Sequence, residues 1–183
     1  MKHIIIILLS GAIANAGVLL TNGDIELDLS IGWSQASSGA SIIIDRATTY
    51  DPDPNYEAQV YKGTGSGYAR LFQMVDIPTT DLEFSVYAKI YAYDNSSTAW
   101  CGAGVIISYL NENGSLLGDT RICMLSTECP WSNSSTRHII QASDSLWHNY
   151  AFNIDNELTN LTGINPSDVK KIEVALFDST YHC

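Results

Sequence analysis

Residues 104–125 read Gly104-Val105-Ile106-Ile107-Ser108-Tyr109-Leu110-Asn111-Glu112-Asn113-Gly114-Ser115-Leu116-Leu117-Gly118-Asp119-Thr120-Arg121-Ile122-Cys123-Met124-Leu125. Two β-rich runs meet at Asn113-Gly114, a pair suited to a type I′ turn because both central residues there need positive φ. The stretch therefore predicts a hairpin, and the chain around it has the same period. Leu82, Phe84, Val86 and Ala88 alternate with polar or Tyr positions, as do Ile25, Leu27 and Leu29 with Asp24, Glu26 and Asp28, and Ile172, Val174 and Leu176 near the end. Further β-rich runs are 41–44, 56–61, 68–75, 137–141 and 147–154. Turn signals separate them at Asn22-Gly23, Asp51-Pro52-Asp53-Pro54, Gly63 to Gly67 and Asn165-Pro166. The one helical candidate is Asp155 to Leu161. Many short strands with almost no helix predict an all-β sandwich or barrel.

The chain has 183 residues, 16% charged and 45% hydrophobic, with Lys+Arg 9 against Asp+Glu 20 and a net charge of -11. That is one acidic globular domain. The charge argues against a nucleic-acid binder, which needs a basic stripe to displace counterions, and against docking on anionic lipid. At the N-terminus, Lys2 and His3 precede the apolar run Ile4 to Leu9, and Ala14-Asn15-Ala16 has the small-x-small form of a signal-peptidase site. Residues 1–16 read as a secretory signal, giving a secreted or cell-surface protein with no membrane insertion after cleavage. An uncleaved anchor is the competing reading, but Gly11, Asn15 and Gly17 interrupt the ~20 apolar residues a span needs.

Export makes the four cysteines disulfide candidates, in three possible pairings. Cys123 and Cys129 flank a loop, so the favoured bridge is Cys123–Cys129, with Cys101–Cys183 as its complement. Zinc is a poor alternative, because no CxxC occurs and His138, His148 and His182 fall at no ligand spacing to the cysteines. Sequons at Asn95, Asn113, Asn133 and Asn160 mark surface loops.

The order of motifs resembles the jelly-roll carbohydrate-binding modules of the galactose-binding-like superfamily. The resemblance lies in Leu20-Thr21-Asn22-Gly23-Asp24-Ile25-Glu26 with Gly32-Trp33, then Tyr68-Ala69-Arg70-Leu71-Phe72-Gln73 and Val75-Asp76-Ile77-Pro78. It continues through Phe84-Ser85-Val86-Tyr87-Ala88-Lys89, Trp147-His148-Asn149-Tyr150 and Ile172-Glu173-Val174-Ala175-Leu176. It spans residues 20–177 and implies a jelly roll of two antiparallel sheets, with carbohydrate as partner. It also implies a structural Ca²⁺ held by Glu26, with Asp24 beside it. Ile25 stands where the family has Phe. The family's last strand, which pairs with the first and helps hold calcium, is absent, so the chain reads as lacking its final strand.

The aromatics speak to ligand, since apolar sugar faces stack on rings at low entropic cost. Trp100 and Trp131 read as exposed, Trp33 and Trp147 as core, and Tyr87, Tyr91 and Tyr93 as a platform on one strand face. Arg70, Gln73, Asn111 and Glu112 are the polar candidates for fixing hydroxyls. Asp24, Glu26 and Asp28 would share one strand face, roughly 7 Å apart.

The chain from Asp51 to Lys62 starts like an EF-hand loop but has Tyr56 in place of the turn glycine and Lys62 at position twelve, so it is not one. Gly63-Thr64-Gly65-Ser66-Gly67 is no phosphate loop, having neither the spacing nor a following helix. No GxSxG elbow or HExxH occurs, and His138 and His148 read as surface or packing residues rather than general bases. The expectation is a non-catalytic carbohydrate-binding module. Its rivals are a structural or adhesive domain with all aromatics internal, and a small glycan hydrolase or lyase needing two carboxylates in one cleft.

Overall fold

A computed structural model describes residues 6–8 (backbone alone), 19–48, 56–94 and 97–182. The chain is a β-sandwich. Its larger layer has six strands: β2 (Ser34–Ser38), β5 (Gly67–Asp76), β11 (Lys171–Tyr181), β7 (Trp100–Leu110), β8 (Leu116–Leu125) and β9 (Arg137–Gln141), in that spatial order. All neighbours are antiparallel except β8 and β9, which run parallel. The other layer holds the pair β3 (Ile42–Ala47) and β4 (Glu57–Lys62), and the sheet β1 (Ile6–Leu8), β6 (Glu83–Lys89) and β10 (Trp147–Asn153).

Period-two patterning sets which side of each strand meets the core. Ala69 and Leu71 on β5, Val174 and Leu176 on β11, Val105, Ile107 and Tyr109 on β7, and Ile122 on β8 face Val60 of β4 and Phe84, Val86 and Ala88 of β6. A short helix, α1 (Ile154–Leu158), adds Ile154 and Leu158, and Asn153 caps it by accepting the Asn156 N–H. Glu157 of α1 enters the sheet, accepting from Thr120 at 2.8 Å and lying 2.5 Å from His138 Nδ1. His138 is thus part-buried against α1.

Several expectations need correction. Residues 19–33 are turns, not a strand: Asn22 accepts from the Leu27 N–H and donates to the carbonyls of Leu27 and Asp28, while Asp24 and Asp28 accept from the backbone at Glu26 and Ser30. Asx side chains thus compete for the backbone groups a ladder would use. Ile25 and Leu29 still enter the core, Ile25 at a φ of 61° that β-branched residues avoid. The β7–β8 turn is longer than a type I′ hairpin: Asn111 Oδ1 accepts from the Asn113 and Ser115 N–H groups, and only Gly114 has positive φ.

The expected leader lies outside the described residues except Ile6–Leu8, whose backbone pairs with Tyr87–Lys89. Asp51, Pro52, Asp53, Pro54, Asn95 and Cys183 also lie outside them. The strand at 171–181 is central in its sheet, between β5 and β7. No helix among the described residues is long and apolar enough to cross a membrane.

Candidate functional site

The outer face of the six-stranded sheet carries rings that the core does not use. Register puts Arg70 opposite Phe177, Phe72 opposite Ala175 and Tyr68 opposite Ser179. Across β11, Gly104 lies opposite Phe177, Gly102 opposite Ser179 and Trp100 opposite Tyr181. Two glycines at i and i+2 leave a trough along β7. A Cβ at Gly102 would come within 3.0 Å of Cys129 Sγ and 3.4 Å of the Trp131 ring, so the loop 126–133 folds over the sheet and lays Trp131 above it. At Gly104 a Cβ would lie 2.4 Å from the Ile122 carbonyl oxygen, so no larger residue fits.

The rings form a continuous path. Tyr68 stacks on Phe177 with centroids 5.8 Å apart, Phe177 meets Trp131 at 5.8 Å, and the Arg121 guanidinium lies 4.4 Å above the Trp131 ring. Arg70 covers Phe72 at 4.3 Å, and Trp100 stacks on Tyr181 at 6.1 Å. All are half-buried except Tyr181, which is exposed; Met74 on the same face is exposed too.

Ion pairs are set among these rings. Arg70 pairs with Glu173. Arg121 and Arg137 both bind Asp119: Arg121 through Nε at 3.0 Å and Nη2 at 2.9 Å, Arg137 through Nε at 2.9 Å and Nη2 at 3.4 Å. Burial pushes the Asp119 pKa up, but the hydrogen bonds from the two arginines outweigh it and hold the carboxyl below its ordinary range.

Of the residues expected to bind ligand, this face gathers Arg70, Trp100 and Trp131. Gln73 points the other way. Its amide is buried against the Thr21 backbone, accepting at 2.7 Å and donating at 2.9 Å, so it holds the N-terminal turn rather than a ligand. Asn111 is committed to its own turn, and Glu112 is exposed there, past the last residue of β7. Tyr87 lies on the outer side of the smaller sheet, stacked on Trp147 at 5.0 Å, and β6 ends at Lys89 before Tyr91 and Tyr93. Trp147 is consequently half-exposed rather than core, whereas Trp33 is buried as expected, donating to the Asn22 carbonyl. Sequence reading missed Tyr68, Phe72 and Phe177. Each sits in a β-pattern with no local mark, and only register brings them together.

The Glu26 corner already holds a cation. Arg46 donates to the carbonyl of Ile25 at 2.7 Å and of Glu26 at 2.5 Å, and its guanidinium lies 3.2 Å above the Tyr56 ring. The Glu26 carboxylate accepts from the Tyr56 N–H. These donors fit the guanidinium rather than an oxygen cage for Ca²⁺. No three His, Cys, Asp or Glu side chains gather as metal ligands among the described residues.

Cys123 and Cys129 are not bonded to each other in this structure, so the expected Cys123–Cys129 bridge is not formed, and the expected Cys101–Cys183 bridge falls on Cys183, outside the described residues. Cys101 faces the core and Cys123 the outer side, where burial pushes its thiol up to about 12 and keeps it protonated at neutral pH.

An open cleft of about 560 Å³ beside β2 and β3 includes Asp28, Ser30, Trp33, Gln35, Asp45 and Arg46 in its lining. Its two carboxylates are those a hydrolase reading would use. Asp28 is occupied by Ser30, whose hydrogen bonds lower its pKa, while burial raises that of Asp45.

No protein-family model matches the chain, and no curated protein matches its sequence. Among solved structures it is similar to the family 11 carbohydrate-binding module of the cellulosomal cellulase Lic26A-Cel5E of Clostridium thermocellum. That likeness has 14% identity and a TM-score of 0.41 over 94% of each chain. A family 11 carbohydrate-binding module from Clostridium thermocellum in complex with a β-1,3-1,4-mixed-linked tetrasaccharide gives 12% identity and a TM-score of 0.37, over 99% of this chain and 93% of that one. The enzymatically active domain of tailspike protein 4 of bacteriophage CBA120 gives 12% identity and a TM-score of 0.45 over 90% of this chain, which spans 19% of the tailspike chain.

Proposed function

We propose that the chain is an exported, non-catalytic module that binds carbohydrate on the outer face of its six-stranded sheet. The observation that carries this reading is the ring path Tyr68–Phe177–Trp131, built outside the hydrophobic core on a floor of glycines. Folding alone gives no reason to spend large apolar rings there, and half-exposed rings flanked by hydrogen-bonding groups are what a sugar needs. Its apolar face stacks and its hydroxyls pair. Arg70, opposite Phe177, and Ser179, opposite Tyr68, are the polar groups nearest the path in register.

The adhesive reading has one observation in its favour: the rings contact one another, as they would in a packing layer. A glycan array on the full chain separates the two, run beside Trp131→Ala and Phe177→Ala variants. Saturable binding that both variants lose supports the module. A folded chain that binds no glycan sinks it and leaves the adhesive domain.

A further inference from the structure

We propose that the glycan taken by this face is acidic, a polymer of uronic acids whose carboxylate is read by Arg137, which shares Asp119 with the Arg121 that lies against Trp131. The inference rests on the carbohydrate reading above and narrows it.

Its basis is where the charge lies. The chain as a whole carries -11, yet three of its four arginines stand on this one face. They are not neutralised one for one. Among the described residues Asp119 is the one carboxylate paired with Arg121 and Arg137, so this cluster keeps a surplus positive charge.

Depth adds to the imbalance. The Asp119 side chain is 5% exposed and that of Glu173 8%, against 34% for Arg137 and 29% for Arg70. In these two pairs the carboxylate is sunk and the guanidinium is the layer that solvent meets, whereas the Arg121 side chain is only 12% exposed. Glu128, exposed in the turn that opens the Trp131 loop, lies seven residues from Arg121, and Asp144, exposed after β9, lies seven from Arg137.

A guanidinium presents five N–H donors, and Arg137 directs Nε and Nη2 at Asp119. It therefore keeps donors for a second carboxylate in the forked geometry that arginine favours. The Arg121–Trp131 contact joins that charge to the ring path. A sugar stacked on Trp131 with a carboxylate on its ring satisfies both elements together. A neutral sugar leaves the surplus charge unanswered, and a sulfated one offers the charge on a different group.

The test measures binding of the full chain by titration calorimetry to polygalacturonate, to carboxyl-reduced polygalacturonate with the same backbone, to a neutral β-glucan and to a sulfated dextran. Polyuronate is expected to bind about tenfold to a hundredfold tighter than its carboxyl-reduced form, the range of a charged hydrogen-bonded contact. Binding should weaken with salt. Arg137→Gln should remove that preference while thermal unfolding shows the variant folded, and Arg137→Lys should restore part of it. Equal or tighter binding to the neutral polymers, unaltered in Arg137→Gln, overturns the acidic-sugar inference and leaves the carbohydrate reading standing. Binding confined to sulfated dextran overturns the carboxylate assignment. A folded chain that binds none of the four overturns both readings.

Discussion

The two outer faces of the sandwich both carry aromatic rings, and they are built differently. On the smaller sheet, Tyr87 and Trp147 come from adjacent strands and lie nearly parallel, at 16°, so each ring spends one face on the other. On the larger sheet the rings come from β5, β11 and a loop, lie along a line, and are interleaved with guanidinia over a glycine floor. A stacked pair is a self-contained packing unit. A line of rings with charge beside it is an extended surface with positions along it, and the proposed sugar site uses the larger sheet for that reason.

The comparison breaks most severely at the floor. Gly104→Val would force a side chain against the Ile122 carbonyl, and the expected cost is about 3–5 kcal/mol, read as a large fall in Tm or failure to fold. An unaltered Tm would mean that the trough on which the larger face depends is not tight.

Next is Asp119→Asn, which leaves the nearly buried Arg121 and the half-exposed Arg137 without their counter-charge. A loss of about 2–4 kcal/mol at neutral pH is expected in denaturant unfolding. The sign of its pH dependence follows from a lowered folded-state pKa. The carboxylate's stabilisation is present above the ordinary value of 3.8 and is lost as pH falls through the lowered one, so wild type and variant should converge in acid below pH 3.8. Curves that stay parallel in acid would show that the carboxylate charge is not what holds the arginines.

Binding gives the direct contrast between the faces. Trp131→Ala should weaken glycan binding about thirtyfold, the loss of one aromatic anchor, while Trp147→Ala leaves it within about twofold and lowers Tm instead. The reverse pattern would move the site to the smaller sheet. The smallest effect expected is from calcium: because Arg46 occupies the Ile25 and Glu26 carbonyls, Tm with Ca²⁺ and with EDTA should agree to within about 1 °C. A calcium-dependent rise in Tm would restore Glu26 as a ligand.

Most of the strands were legible because alternation and burial coincide in them. The 137–141 run is found with its full bounds, and 68–75 and 82–88 to within a residue. Alternation misled at 24–29, where Asn22, Asp24 and Asp28 bind backbone groups locally and make turns instead. It was silent at Ser34–Ser38, a polar edge strand that has only β5 to pair with. The site was legible where a residue had an unusual setting, as Trp131 has in its Pro130–Ser132 loop. It was illegible where meaning comes from pairing: nothing near Phe177 in sequence says that Arg70 stands opposite and that two glycines lie beyond. Tyr87, Tyr91 and Tyr93 drew attention because their spacing is visible along the chain, which is a property of the chain and not of the surface.

Lys62, at the end of β4, is fully buried, and its ammonium group donates to the carbonyls of Gly63, Thr64 and Gly65 at 3.2, 2.8 and 3.0 Å. That internal plug makes the amine a native clock. Lys170, which is exposed, meets an acylating reagent without any opening, whereas Lys62 meets it only when the 63–67 loop lifts away. Its labelling rate, followed by peptide mass, therefore reports the opening frequency of one corner of the sandwich while the rest stays folded.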